Sequence, residues 1–180
     1  MGQCLVAMPL MSDPRFTRTV VYICTHTPSG AMGLVLNRVL EAVTFSELLE
    51  QLGIQATPLC RSIHVHSGGP VEAGRGFVLH SGDYVHSATI MVDQDVGLTA
   101  TVDVLKAIAE GHGPRRSILA LGYAGWGEGQ LDNELRQNVW LTVPADEELV
   151  FGDDLEHKWD QAMMRLGIDV RMLSLEFGHA

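Results

Sequence analysis

Two hydrophobic periods alternate along the chain and predict different elements. "CLVAMP" (4–9) reads as a short strand and "TRTVVYICTH" (17–26) as a longer one; the second runs β-branched and aromatic almost without polar alternation, which predicts burial on both faces. "TPSG" (27–30) carries turn chemistry and is followed at once by "AMGLVLN", predicting a hairpin over 18–36 that Asn37 ends. Beyond residue 63 the short runs "IHV", "GFVLH", "ATIMV" and "GLTAT", broken by Gly, Pro and Asp, predict antiparallel or mixed sheet. "SILALGY" (117–123) and "VWLTVP" (139–144) add two strands, and "VRMLSLEFGHA" (170–180) is expected to close the chain as a final strand and tail.

The helical period appears in four places. "VTFSELLEQLG" (43–53) has a capping box in Thr44 and Glu47, a staple pair in Val43 and Leu48, and Gly53 as its stop. "TVDVLKAIAEG" (101–111) places Val102, Leu105 and Ala109 on one face and stops at Gly111; "LDNELRQN" (131–138) is a shorter helix. "DDLEHKWDQAMMRLG" (153–167) is the longest, with Asp153 as cap, Glu156 three residues on, and an apolar stripe of Leu155, Trp159, Ala162, Met163 and Leu166. With no internal repeat or linker, the order predicts one α+β domain over 1–180 with a mixed sheet.

Composition narrows the function classes. A net charge of −10, with Arg115-Arg116 as the lone adjacent basic pair, argues against direct, electrostatically driven nucleic-acid binding. Three cysteines, Cys4, Cys24 and Cys60, are an odd number without CxxC spacing, which predicts neither a disulfide framework nor a zinc site and fits a reducing cytoplasm. No apolar run approaches the roughly 18 residues of a membrane helix, so no membrane role is expected.

Two glycine-rich stretches carry the candidate chemistry. "LGYAGWGEGQLDNEL" (121–135) has the strand, glycine turn and helix order of a phosphate loop, but Gly122, Gly125, Gly127 and Gly129 miss the GxGxxG spacing and no GK[ST] follows. Glu128 and Asp132 would also repel an anion there, so a sharp turn over the sheet end is expected instead. "HSGGPVEAGRGFVLHS" (66–81) is expected to line a pocket; neither Ser67 nor Ser81 lies in a GxSxG elbow. His64 and His66 alternate on a strand and should face the same way, yet lack a third ligand at motif spacing and are read as partly exposed non-ligands. Cys24 and His26 also alternate, but the apolar run around Cys24 favours a buried, inert thiol. No cofactor and no metal set is assigned.

Taken together, "VAMPLMSDPRFTRTVVYICTHTPSGAMGLVLNR", "SGGPVEAGRGFVLHS", "ALGYAGWGEGQLDNEL", "WLTVPADEELVF" and "GHA" resemble, in order and nearly end to end, the bacterial AlgH/YqgE family. The resemblance implies a single AlgH/YqgE-like domain over 1–180, α+β, whose mixed, largely antiparallel sheet bifurcates and curls into a pseudo-barrel flanked by helices. It also implies a cytoplasmic bacterial protein from a family labelled as transcriptional regulators, without established catalytic residues to carry across. His64 and His66 fall where that family is usually more apolar. The expected function is therefore regulation or interaction, through a protein partner or small ligand bound in a cleft between the GGP and GYAGWG loops. The residues expected to line it are Asn37, Gly68, Gly69, Pro70, His80, Tyr123, Trp126 and Gln130, which combine bare backbone, aromatic surface and a titratable group. The competing expectation is an enzyme of hydrolase or thiol/redox type that uses His80 or the Cys24/His26 pair.

Overall fold

A computed structural model describes residues 2–172. The strands are β1 (Gln3–Ala7), β2 (Val20–Thr27), β3 (Gly30–Val35), β4 (Val65–Ser67), β5 (Val71–Ser81), β6 (Thr89–Met91), β7 (Val96–Thr99), β8 (Ser117–Trp126) and β9 (Trp140–Pro144). The helices are α1 (Phe45–Gln51), α2 (Val102–Glu110), α3 (Gln130–Arg136), α4 (Glu147–Phe151) and α5 (Lys158–Arg165), with a 3-10 turn at Pro58–Ser62.

Strand order is β6-β7-β5-β8-β3-β2-β1-β9, and β4 attaches to β8 off that path. The fork lies in β8. Its first half, around Leu119 to Leu121, runs between β5 and β4, while Ala124 to Trp126 pairs with β3. The β4–β8 pairing is parallel and the other named pairs are antiparallel. The mixed α+β sheet thus bifurcates as the resemblance implied, and it curls into a half-barrel.

Period-two alternation divides the core. On β1, Cys4 and Val6 join a large cluster with Tyr22, Leu34, Leu79, Ile118 and the α5 residues Trp159 and Met163. Leu5 and Ala7 point the other way, toward Val21, Val35, Trp126, Leu131 and Trp140. A third cluster seats α1 and α2, through Phe45, Leu49, Val104 and Leu105, on Val78 and Leu119. Both faces of the central strands are therefore buried, which is why β1 and the start of β2 read as unbroken apolar runs. The polar end of β2 is different: Thr25, His26 and Thr27 are exposed.

Several expected elements shift. The glycines of 121–126 do not make a corner: β8 runs straight through them, and the chain turns only at 127–129, where Gly129 caps α3 with φ 67°. Likewise "VEAGRG" is not a loop but the first half of β5, bulged between Val71 and Gly76 with Glu72 at φ 46°. Asp153 caps nothing; α5 begins at Lys158, and α2 is the longer helix. Asp154 holds the backbone N–H of His157 at 3.3 Å and its Nδ1 at 2.9 Å, fixing a turn where the capping pattern predicted helix. Helix α4 lies outside the four helical periods of the sequence; Asp146 caps it by accepting the Leu149 N–H at 2.8 Å. On α2, Val102 is exposed, while Val104, Leu105, Ala107 and Ala109 are buried. The expected closing strand begins instead as a helical turn at 170–172, and the rest of it lies outside the described residues.

Candidate functional site

The two glycine stretches do not face each other across a cleft; their backbones are pressed together. A Cβ built on Gly68 would lie 2.3 Å from the Gly122 carbonyl oxygen, and one on Gly69 only 2.1 Å from the Tyr123 carbonyl carbon. Gly69 also has φ 152°, which side-chain-bearing residues rarely adopt. The Gly68 N–H donates to the Leu121 carbonyl at 2.9 Å, and its own carbonyl accepts from Val35 N–H at 2.9 Å. Here the glycines serve a close crossing of main chain at the fork, and the space expected between the loops is filled by the loops themselves.

The eight expected lining residues consequently separate. Asn37 clamps β2, accepting from Val20 N–H at 3.0 Å and donating to the Arg18 carbonyl at 2.9 Å. Pro70 and Gly69 border a small hollow of about 160 Å³ beside Arg15 and Arg38, next to the start of β5, whereas His80 is near its other end. His80 is 0% exposed, with Nδ1 3.0 Å from the Ser81 carbonyl and Nε2 2.8 Å from Thr99 Oγ1. Trp126, 7% exposed, donates its indole N–H to Glu134 Oε2 at 2.8 Å, and Gln130 braces the same carboxylate at 2.9 Å. His80, Asn37 and Gln130 are thus tied into the scaffold.

Tyr123 is the exception. Half-buried and edge-on to Phe77 at 5.9 Å, it borders a shallow depression of about 440 Å³ with Thr25, Thr27, Ser29, Met32, Val71 and the outer edge of Trp126. Gly30 and Gly125 bare the backbone of this face. Burial, and then a hydrogen bond with Glu72, raises the phenol's pKa, so the ring is neutral.

The groups named for enzyme chemistry are parted. A register shift between Ile23 and Thr25 separates the Cys24 and His26 side chains: Cys24 is buried and His26 is exposed beside Asp132 at 3.2 Å. Burial pushes the Cys24 thiol up to about 12, and burial likewise dominates at Cys4, also near 12, so neither supplies thiolate at neutral pH. The three cysteines are free and buried.

Two further recesses open away from the glycine stretches. The larger, about 860 Å³, is lined by Gly2, Asp83, Asp93, Asp95, Arg115, Asp146 and Glu147, drawn from five separate stretches of chain. Its acids are largely engaged. Ser81 Oγ and Arg115 N–H donate to Asp83, Tyr22 donates to Asp93 at 2.8 Å, and Arg115 pairs with Glu147 at 2.6 Å. The hydrogen bond from Ser81 holds Asp83 below the usual carboxylate range, and the one from Arg115 does the same for Glu147. The second recess, about 350 Å³, lies between β4, the start of β8 and the α4–α5 turn. Both His64 and His66 line it, so they face the same way as expected; His64 is exposed but His66 is only 7% exposed, against the partly exposed pair predicted. Among the described residues, no group of three or more His, Cys, Asp or Glu side chains is placed to hold a metal ion.

Comparison with known proteins places this architecture. An AlgH-like family model matches residues 4–171. A UPF0301 protein of Rhodospirillum rubrum is 61% identical over 179 residues, covering 99% of this chain and 93% of its own. A UPF0301 protein of Cereibacter sphaeroides is 53% identical over 180 residues, covering 99% and 98%. The solution structure of the AlgH protein from Pseudomonas aeruginosa superposes with a TM-score of 0.81 at 42% identity, over 99% of this chain and 95% of that one. A crystal structure from Corynebacterium diphtheriae, at 21% identity and TM-score 0.73, shares the fold. The chain belongs to the AlgH-like family of UPF0301 proteins.

Proposed function

We propose that this chain is a regulatory or interaction protein rather than an enzyme, and that it binds a protein partner through the face around Tyr123. The observation that carries the reading is the depression itself: an aromatic ring, a thioether and three hydroxyl groups set over bare glycine backbone, on a rigid sheet. Aromatic residues and Met are enriched where protein surfaces bind one another, and glycine lets a partner approach the main chain. An enzyme built on Cys24 or His80 would have to act through a buried thiol and an imidazole whose two nitrogens are already engaged.

Any control of transcription would be indirect, because a chain of net charge −10 gains little from releasing counterions off DNA. Three free, buried cysteines support a reducing, cytoplasmic location, and the reading takes residues 1–180 as one domain. No helix among the described residues is long and apolar enough to cross a membrane.

The test pairs Tyr123→Ala with Thr25→Arg. A partner cross-linked by the wild-type chain and lost from both folded variants is the expected result. Equal cross-linking by both variants would move the site elsewhere. Duplex-DNA affinity that falls steeply with salt would replace indirect control by operator binding.

A further inference from the structure

Between β5 and β7 the chain makes a surface excursion that carries β6, at the end of β5 remote from Tyr123. It buries little apolar surface: Val85 is 69% exposed and Ile90 64%, and β6 is three residues long. Two of its side chains, Tyr84 and Thr89, meet one buried group, His80. Tyr84 stands edge-on to the imidazole with ring centroids 5.6 Å apart, and Thr89 reaches it through Thr99. Gly97 leaves room for the ring, since a Cβ there would lie 2.7 Å from His80 Cε1.

The partners fix where the protons sit. The Ser81 carbonyl, 3.0 Å from Nδ1, only accepts, so in the uncharged ring Nδ1 carries the proton and Nε2 accepts. The Thr99 hydroxyl, 2.8 Å from Nε2, must then donate to it. With that proton spent, the 2.8 Å contact between the two threonines runs from the Thr89 hydroxyl to Thr99 Oγ1. Thr89 Oγ1 in turn accepts from the His86 N–H at 3.0 Å. Hydrogen bonds therefore run one way, from the excursion through both hydroxyls and the imidazole to the Ser81 carbonyl. Removing a link from such a chain leaves its neighbours unpaired.

Backbone pairing sets the excursion apart from the central sheet, because hydrogen-bonded pairs alternate along an antiparallel ladder. Val92 N–H donates to the Val96 carbonyl at 2.9 Å, which makes Ile90 and Leu98 the next such pair. Gly82 N–H donates to the Asp95 carbonyl at 2.8 Å, which turns Gly97 toward β5. Adjacent N–H groups of β7 thus report on different neighbours, Leu98 on β6 and Gly97 on β5.

We propose that residues 83–91 form a strap that opens as a unit, latched from inside by His80 through Thr99 and Thr89. Exposed backbone with little buried apolar surface belongs to the low-stability end of a fold. Release unpairs the outer edge of β7, onto which another extended segment can add. Hydrogen exchange of the full chain, read residue by residue by NMR at rising urea, tests it. Ile90 and Leu98 N–H should exchange faster than Gly97 N–H and respond less to urea, because opening the strap exposes less surface than unfolding. Thr99→Val should speed exchange at Ile90 and Leu98 about tenfold. Nitrogen-15 spectra of the neutral His80 ring should place its proton on Nδ1. Thr89→Val cuts only the outer link, at a part-buried hydroxyl, and gives the same reading if Thr99→Val fails to fold. A proton on Nε2, exchange at Leu98 that matches Gly97 in rate and urea dependence, or exchange at Leu98 unchanged in the folded variant would overturn the strap.

Discussion

At Gly69 the positive φ and the 2.1 Å approach to Tyr123 act together, so a single methyl group there meets main chain that cannot step aside. Gly69→Ala is expected to cost roughly 3 kcal/mol or more, from backbone strain added to overpacking. Gly74, five residues on, has ordinary φ and nothing within 4 Å of a built Cβ. Gly74→Ala should therefore stay within about 0.5 kcal/mol. Urea unfolding of the two variants checks both, and a Gly69→Ala protein as stable as wild type would refute the crowding argument. The contrast also explains what was unreadable in the sequence. A string of glycines announces that Cβ atoms are excluded somewhere, but a ligand and a neighbouring backbone exclude them equally well. Only the partner of each glycine, here Gly122 for Gly68 and Tyr123 for Gly69, decides between them, and that partner lies more than fifty residues away.

Elements were legible where their signals were local. The capping box of α1 forms as read, with Glu47 N–H donating to Thr44 Oγ1 at 3.1 Å and Thr44 N–H donating to Glu47 Oε2 at 3.0 Å. α5 starts later than its capping pattern predicts because an equally local competitor, the Asp154–His157 turn, takes the chain first, and because Lys158 is drawn inward to the end of α4. Long-range brackets had no signature at all. Glu134 on α3 accepts at 2.8 Å from the indoles of both Trp126 on β8 and Trp140 on β9, two strands at different places in the sheet. This single carboxylate ties the fork to the sheet's edge. Glu134→Ala leaves two part-buried indole N–H groups without their acceptor and is expected to lower stability by roughly 2–4 kcal/mol, with Glu134→Gln in between because one acceptor oxygen survives. A shift in tryptophan fluorescence should accompany the loss; unchanged stability in Glu134→Ala would mean water replaces the carboxylate at both rings.

At the scale of the whole molecule, acidification sets two effects against each other. Lowering the pH from 7 shrinks the net charge of −10 and relieves self-repulsion, which favours the folded state. His157, whose pKa is raised chiefly by its hydrogen bond with Asp154, binds its proton more readily when folded and pulls in the same direction. His66 pulls the other way. Above its ordinary value of 6.5 the ring is neutral in both the folded and the unfolded chain, so its burial carries no proton-linked penalty. As the pH falls from 6.5 toward about 4, the unfolded chain takes up a proton that the folded one refuses, and folding loses stability until the penalty levels off. A shift of that size corresponds to about 3 kcal/mol at most. The surface effects are screened and individually small, so the buried ring should dominate and the melting temperature should fall across this window. His66→Gln, which cannot take up the proton, should flatten the profile or reverse it; a wild-type profile matching that of the variant would show that the folded protein opens at β4 to let the proton in.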